Sequence, residues 1–356
     1  MRVLYLTNIH NPYRDIFFEQ LGKECDLTVL FEQRSDALRD ASWFLDTKVS
    51  NYQEIYLPEN ERGPLSKTMM KTIDEGWSLI VVGCYNSPRQ MFAISQMRKR
   101  HLPYVVNSDG RVFYSGNPMK RAARRHVLHG ANGYLIAGET SVPSLRREVG
   151  WNAPISAYPF SSLTESRISE FATDNAVRDT KQVLVVSQFL YCKGLDVALD
   201  AAVKLSRDLR WKFIGSGAKA DELRMLVRQK MLSNVEVIPF LKPDDLAKEY
   251  QHAHLCILPS RQECWGLVVN EAAACGCPVV STWGSGAAVD YLSHDYPQYL
   301  AEPGSADSLA LAIGTFLARP EEEKADYSSF LCRKASVYTI EGMVKSHLSL
   351  FGEVVA

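Results

Sequence analysis

Long hydrophobic runs are the first thing this sequence lacks. No window of about 18 apolar residues free of charge occurs along its 356 residues, so no segment reads as a bilayer-spanning helix. The opening Met1-Arg2 passes straight into Val3-Leu4-Tyr5-Leu6-Thr7, too short an apolar stretch for the core of a secretory leader. Cysteine is thin. Its eight residues are scattered, mostly inside apolar segments, which excludes a disulfide-stapled fold and predicts free thiols in a reducing cytoplasm. Cys275-Gly276-Cys277 has no second Cys/His pair nearby at ligand spacing, so no zinc site is expected. A large charge of either sign is absent too. The formal net charge is −1, with 46% hydrophobic and 23% charged residues, the balance of an ordinary globular protein. Disorder and collagen-like repeats are excluded by the same figures. What the chain does have is length. Single hydrophobic cores stop growing near ~250–300 residues, so two domains are expected.

The small net charge hides an uneven spread. Residues 1–160 hold 20 Lys and Arg against 16 Asp and Glu, and the remainder holds 20 against 25. Nine basic residues fall within 89–130 (Arg89, Arg98, Lys99, Arg100, Arg111, Lys120, Arg121, Arg124, Arg125) against a single acid, Asp109. Such a stretch is either a solvated face or a surface for an anionic partner.

Short β-branched runs alternate with amphipathic stretches. Val3–Thr7, Asp26–Phe31, Ser78–Gly83, Pro103–Asn107 and Gly133–Ala137 read as buried strands. Between them, 13–23, 65–75, 87–100, 117–129 and 139–149 show apolar spacing of three and four. Near-continuous apolar strands separated by helices mean a parallel, doubly wound sheet. Residues 161–180 are polar and read as a linker. The alternation then resumes from Val183 to Ser281, and three helical stretches follow to the end. The expected fold is α/β, with two Rossmann-like doubly wound domains facing a central cleft. The first covers 1–160 and the second 181–336, while 337–356 forms a helix packing back on the first domain. A ligand belongs at the carboxyl ends of the strands.

The most informative segment runs from Pro259 to Val280: Pro-Ser-Arg-Gln-Glu-Cys-Trp-Gly-Leu-Val-Val-Asn-Glu-Ala-Ala-Ala-Cys-Gly-Cys-Pro-Val-Val. A strand ends at Pro259, a loop follows, and a helix begins near Gly266. Unpaired amides and the aligned peptide dipoles favour an anion there, and Gly266 lets a phosphate approach the backbone. Two carboxylates, Glu263 and Glu271, lie eight positions apart. Acids beside an anion site make sense when each binds hydroxyl groups, and a carboxylate can accept from two vicinal sugar hydroxyls at once. A solvated first-turn Glu is the plain alternative for Glu263, but not for Glu271, whose helix neighbours are apolar.

This segment resembles the E-x7-E motif of the large fourth family of nucleotide-sugar-dependent glycosyltransferases, which have the GT-B fold and retain anomeric configuration. The similarity extends over nearly the whole second domain. Val185-Val186-Ser187-Gln188-Phe189-Leu190-Tyr191-Cys192-Lys193-Gly194-Leu195-Asp196 resembles the family's first strand and phosphate-binding loop. Phe213-Ile214-Gly215-Ser216-Gly217 resembles its second glycine turn, and Val237-Ile238-Pro239-Phe240-Leu241 its base-binding strand end. The resemblance implies that Glu271 holds the ribose hydroxyls and Glu263 those of the transferred sugar. It also implies that the Gly266 and Leu267 amides, with Trp265 beside them, meet the distal phosphate. Lys193 then neutralises the diphosphate, and the backbone around Phe240 and Leu241 reads the base. Gln188 and Gly215 complete the set. Helix amides and a cation can stabilise a leaving diphosphate without a metal, and no convincing Asp-x-Asp loop is present. Neither metal nor cofactor is therefore expected.

Two positions depart from the family pattern. Gln188 stands where an Arg is common, and Arg261 is expected to compensate. The chain reads Thr7-Asn8-Ile9-His10-Asn11-Pro12-Tyr13-Arg14 where a glycine-rich turn usually follows the first strand. Asn8, Tyr13 and Arg14 nonetheless sit at a strand's carboxyl end, where acceptor contacts belong. His10 reads as a surface loop histidine more readily than as a base. Asp109 is the best acceptor-side residue, orienting or accepting from the incoming hydroxyl, with a turn-forming Asp-Gly as its alternative. His126 and His129 read as a surface and a packing histidine.

The expected activity is a hexosyltransferase reaction from a nucleotide diphosphate-sugar, with UDP as the base-rate choice, onto a saccharide or lipid-linked saccharide in polysaccharide biosynthesis. The catalytic residues are Glu263, Lys193 and Asp109. Lys120, Arg121, Arg124 and Arg125 face an anionic membrane surface, the protein being cytoplasmic and peripheral, and nucleic acid is not expected as a partner. The rivals are a sugar-nucleotide epimerase of the same fold and a non-catalytic sugar-nucleotide sensor. A nicotinamide-dependent oxidoreductase is disfavoured because no Gly-x-Gly-x-x-Gly turn follows either first strand.

Overall fold

The computed structural model describes residues 1–34, 50–61, 63, 65–110, 117–172 and 178–356. They form two compact units, Met1–Phe160 with Ile340–Ala356, and Ser161–Thr339. Within the first lie β1 (Arg2–Ile9), α1 (Pro12–Leu21), β2 (Asp26–Gln33), β3 (Gln53–Tyr56), α2 (Lys67–Ile73) and β4 (Leu79–Val82). Next come α3 (Pro88–Lys99), β5 (Tyr104–Ser108), α4 (Pro118–Leu128), β6 (Gly133–Ala137), α5 (Val142–Val149) and β7 (Ile155–Tyr158). The sheet order is β3-β2-β1-β4-β5-β6-β7, and every pairing is parallel.

The second unit opens with α6 (Glu165–Ala172), β8 (Asp179–Val186), α7 (Leu195–Lys204), β9 (Arg210–Ile214), α8 (Ala220–Gln229), β10 (Val235–Ile238) and α9 (Pro243–His252). It continues through β11 (Ala253–Leu258), α10 (Leu267–Ala274), β12 (Val279–Thr282), α11 (Gly286–Leu292), β13 (Leu300–Ala301), α12 (Ala306–Leu317) and α13 (Glu321–Ala335). Its order is β10-β9-β8-β11-β12-β13, again parallel throughout. The last helix, α14 (Ile340–Val355), belongs to the first unit.

Strand alternation explains how the first sheet is covered. Leu4, Leu6, Ile80 and Val82 point to one face and pack with Met97, Leu128 and Leu145 from the helices α3 to α5, each such side chain contributing about 1.5–3 kcal/mol by leaving water. Tyr5, one residue out of phase, points to the other face, its ring 5.0 Å from Phe18 of α1. On that face Phe17 meets His347 of α14 at 4.8 Å. α14 lies close over β6 because Gly133 has no side chain; a Cβ there would meet Leu350 at 3.2 Å.

The differences from the sequence reading are at the margins. β3 and β7 are short edge strands, half-buried for most of their length, and lack the continuous apolar run that marks a central parallel strand. Residues 161–180, read as linker, contain α6 and the start of β8. In both sheets the strand order reverses direction at one point, between β1 and β4 and between β8 and β11. Loops leaving neighbouring strands diverge there and open a crevice.

Candidate functional site

In the second unit the loops after β8 and β11 meet at that reversal. The β8 loop ends in a short 3₁₀ turn, Tyr191–Lys193, closed by Gly194 with φ 67°. A Cβ on Gly194 would sit 2.1 Å from the Pro259 carbonyl oxygen, so only glycine lets the loops touch. The Arg261 amide then donates to the Cys192 carbonyl at 2.8 Å. This contact brings the Lys193 ammonium into an ion pair with the Glu263 carboxylate, both side chains being mostly buried. Gly266, with φ 106°, begins α10, and a Cβ there would lie 3.2 Å from Glu263 Cγ. Lys193, Glu263 and the first amides of α10 therefore form one cluster.

Glu271 lies one turn deeper. One of its oxygens accepts from the Ser162 hydroxyl at 3.1 Å and the other from the Tyr250 hydroxyl at 3.3 Å. Burial pushes its carboxyl up to about 7, against the pull of those two hydrogen bonds. Burial pushes the Tyr250 hydroxyl well up as well, so it stays protonated and donates. Neither partner was legible in the sequence. Ser162 falls in the stretch read as linker, and Tyr250 reads as an ordinary core position of α9.

Other expected residues lie at the same strand ends. Gln188 is half-buried in the β8 loop. Gly215 follows β9 and abuts the Ser187 carbonyl, and Phe240 and Leu241 follow β10, half-buried. Two roles need correction. Arg261 does not stand ready at a diphosphate. Its guanidinium donates to both oxygens of Asp196 at 2.7 and 2.6 Å and to the Tyr191 carbonyl at 3.0 Å, fastening the two loops and holding the Asp196 carboxyl below its usual range. Trp265 is 2% exposed. Its indole donates to Asn270 at 2.9 Å and stacks on Tyr338, so its side chain faces the core and only its backbone lies at the site.

In the first unit, Asp109 follows β5 and pairs with the Arg14 guanidinium, and the same oxygen accepts from the Tyr158 hydroxyl at 3.2 Å. Arg14 is 4% exposed and also donates to the Tyr5 hydroxyl at 3.0 Å, which Asn107 meets as well. Burial works against the Arg14 charge, yet Asp109 with Tyr5 and Tyr158 holds its pKa well above the usual range. Arg14 is thus enclosed behind Asp109 rather than presented beside it. Asn8 is exposed, its amide oxygen taken by the Ile9 N–H at 2.9 Å. Tyr13 is half-buried with its ring edge-on to Phe160 at 6.0 Å. His10 is buried rather than a surface residue, its Nε2 3.1 Å from Asp15.

The basic stretch is also changed by tertiary structure. Arg121 and Arg125 reach the buried carboxylate of Glu148 at 3.7 and 3.4 Å, and Arg89 pairs with the buried Glu32 at 2.8 Å. His126 and His129 are both exposed. Arg111 and the side chain of Lys120 lie outside the described residues. No helix among the described residues is long and apolar enough to cross a membrane.

Residues 167–329 match the family model described as glycosyl transferases group 1. An uncharacterized glycosyltransferase of Methanocaldococcus jannaschii is 30% identical over 143 residues, 39% of this chain and 36% of its own length. A sulfoquinovosyl transferase of Arabidopsis thaliana is 26% identical over 210 residues, 54% of this chain and 39% of that one. The matched stretch thus spans little more than a third of either relative. Among solved structures, a sucrose-phosphate synthase from Thermosynechococcus elongatus superposes with TM-score 0.76 at 19% identity over 99% of both chains. An Anabaena protein, HepE, solved in complex with UDP and glucose, gives 0.71 at 16% identity over 99% of this chain and 100% of its own. At such identities the likeness shows the fold, two Rossmann-like units of the GT-B type.

Proposed function

We propose, from the match of residues 167–329 to the glycosyl transferases group 1 model, that this chain moves a sugar from a nucleotide diphosphate-sugar to a hydroxyl acceptor, retaining anomeric configuration and using no metal. The observation that carries this reading is the Lys193–Glu263 pair lying against the start of α10, with Glu271 held one turn deeper. As the bond to the diphosphate breaks, negative charge grows on the leaving oxygen. The Gly266 and Leu267 amides and the Lys193 ammonium supply fixed positive charge to it. Lys193 is engaged with Glu263 in the free protein, so an arriving diphosphate takes over the ammonium and leaves Glu263 to accept from the sugar hydroxyls. Glu271, already ringed by hydroxyl donors, accepts in the same way from the ribose. The backbone of Phe240 and Leu241 reads the base, and UDP is the nucleotide favoured, in keeping with the UDP complex of the Anabaena neighbour.

The acceptor belongs to the first unit. One oxygen of Asp109 is occupied by Arg14 and Tyr158, which leaves its second to orient the incoming hydroxyl. The acceptor class we favour is a lipid-linked saccharide at the cytoplasmic face of a membrane, in glycan biosynthesis. The test is to incubate the protein with UDP-sugars and lipid-linked saccharides in the presence of chelator and to determine the product linkage by NMR. A product that keeps the donor's anomeric configuration supports the reading. An inverted linkage, or activity abolished by chelator and restored by magnesium or manganese, contradicts it.

A further inference from the structure

The two hydroxyls that meet Glu271 come from distant parts of the second unit, and each is itself fixed. Ser162 donates to one carboxylate oxygen at 3.1 Å and Tyr250 to the other at 3.3 Å. Ser162 is the second residue of the unit. The preceding Ser161 side chain is wholly buried and accepts from the Leu163 amide at 3.0 Å, a local turn that sets the backbone carrying Ser162. Tyr250 is 1% exposed on α9, which packs against α10. Arg178 ties these two helices together at their ends. Its guanidinium donates to the carbonyls of Tyr250 at 3.3 Å, Ala253 at 3.0 Å and Cys275 at 3.0 Å, the last being the residue that caps α10.

A carboxylate oxygen accepts at about two lone-pair sites. With Ser162 on one oxygen and Tyr250 on the other, each oxygen keeps about one further site, and the carboxylate is held against rotation. Glu271 retains part of its surface in solvent. An acid that swings freely loses rotamer entropy when a ligand orders it, and one already clamped loses little. Two vicinal hydroxyls therefore find two oxygens whose directions are set in advance. A sugar lacking one of those hydroxyls leaves an oxygen without a donor, and that costs affinity.

We propose that Tyr250 and Ser162 are positioning residues that aim Glu271 at two vicinal hydroxyls, and that through them the site selects ribonucleoside over 2′-deoxyribonucleoside diphosphates. This rests on the reading of Glu271 as the ribose-binding carboxylate and deepens it to a substrate class. If the two hydroxyls served only to satisfy a buried acid, their removal would lower stability and leave the preference between the two sugars unchanged.

The test is calorimetric titration with uridine, guanosine and adenosine diphosphates and with their 2′-deoxy forms. The wild type should prefer the ribose form of whichever base it binds by roughly 10-fold or more. Tyr250→Phe and Ser162→Ala should each lower that preference by roughly 3-fold or more, while Ser162→Thr, which keeps a hydroxyl, should retain it. Melting curves in the same buffer show which variants are folded; if Tyr250→Phe is not, the two Ser162 variants decide alone. Equal binding of both sugars by the wild type, a full preference kept in a folded Tyr250→Phe or in Ser162→Ala, or its loss in Ser162→Thr, would overturn the proposal. A wild type that binds none of these nucleotides places the failure in the functional reading, whereas one that binds them without preference confines it to these positioning hydroxyls.

Discussion

Replacing Glu271 with glutamine removes a carboxyl that the folded second unit holds in the wrong protonation state for stability. Burial pushes that carboxyl from 4.5 up to about 7. Between those values the unfolded chain gives up the proton while the folded chain keeps it. Rising pH therefore favours the unfolded state across this window, and the penalty stays constant above it. The shift corresponds to up to about 3 kcal/mol, at about 1.4 kcal/mol for each pH unit. Glutamine preserves the shape and can still meet Ser162 and Tyr250, but it has no proton to lose. Glu271→Gln should thus match the wild type near pH 4.5 and gain on it progressively until about pH 7. For a unit of this size the gain amounts to roughly 6–12 °C in midpoint. Calorimetric melting of the nucleotide-free protein across that range measures it in the transition of the second unit. The same variant should bind nucleoside diphosphates roughly 10-fold or more weakly, since a charged hydrogen bond contributes about 1.5–3 kcal/mol. A residue that costs stability and supplies binding is the mark of a functional site. A stability difference that does not change with pH, or a variant less stable than wild type at alkaline pH, would refute the reasoning.

Three other outcomes follow from particular contacts. Glu263→Gln frees the Lys193 ammonium from its ion pair, so nucleoside diphosphate affinity should be kept or raised while sugar transfer falls by about 10-fold or more; titration and turnover on one preparation check this. Asp109→Asn leaves the enclosed Arg14 guanidinium without its carboxylate, and the first unit should lose about 1–3 kcal/mol in denaturant unfolding. His347 is fully buried, and burial pushes its imidazole from 6.5 down to about 3. Only the unfolded chain takes up the proton as pH falls below 6.5, so stability is lost with acid at up to about 1.4 kcal/mol per pH unit. His347→Phe should remove that slope between pH 5 and 6.5, which acid melting curves of the two proteins would show.

Central strands and the motif segment were readable because their signals are local. A near-continuous apolar run marks β1, β4 or β11, and the spacing Glu263 to Gly266 to Glu271 places a loop acid, a helix start and a helix acid in order. What the sequence hid depends on partners remote along the chain. Ser162 meets Glu271 from 109 positions away, and Arg14 meets Asp109 from 95. Nothing in a loop's spelling says which way a side chain points. Trp265 turned inward to Asn270, and Arg261 turned to Asp196 in the first turn of α7. The basic stretch misled for the same reason, since the acid that holds Arg121 and Arg125 is Glu148, outside that stretch. β3 and β7 escaped because a short, half-buried edge strand carries no continuous apolar run.

Calorimetric titration with uridine, guanosine and adenosine diphosphates tests the proposed sugar-donor site most directly. The site described predicts that at least one of them, uridine diphosphate foremost, binds once per chain. It also predicts that Lys193→Ala and Glu271→Gln each weaken that binding by about 10-fold or more. Failure of all three nucleotides to bind, or affinity that both variants keep unchanged, would contradict it.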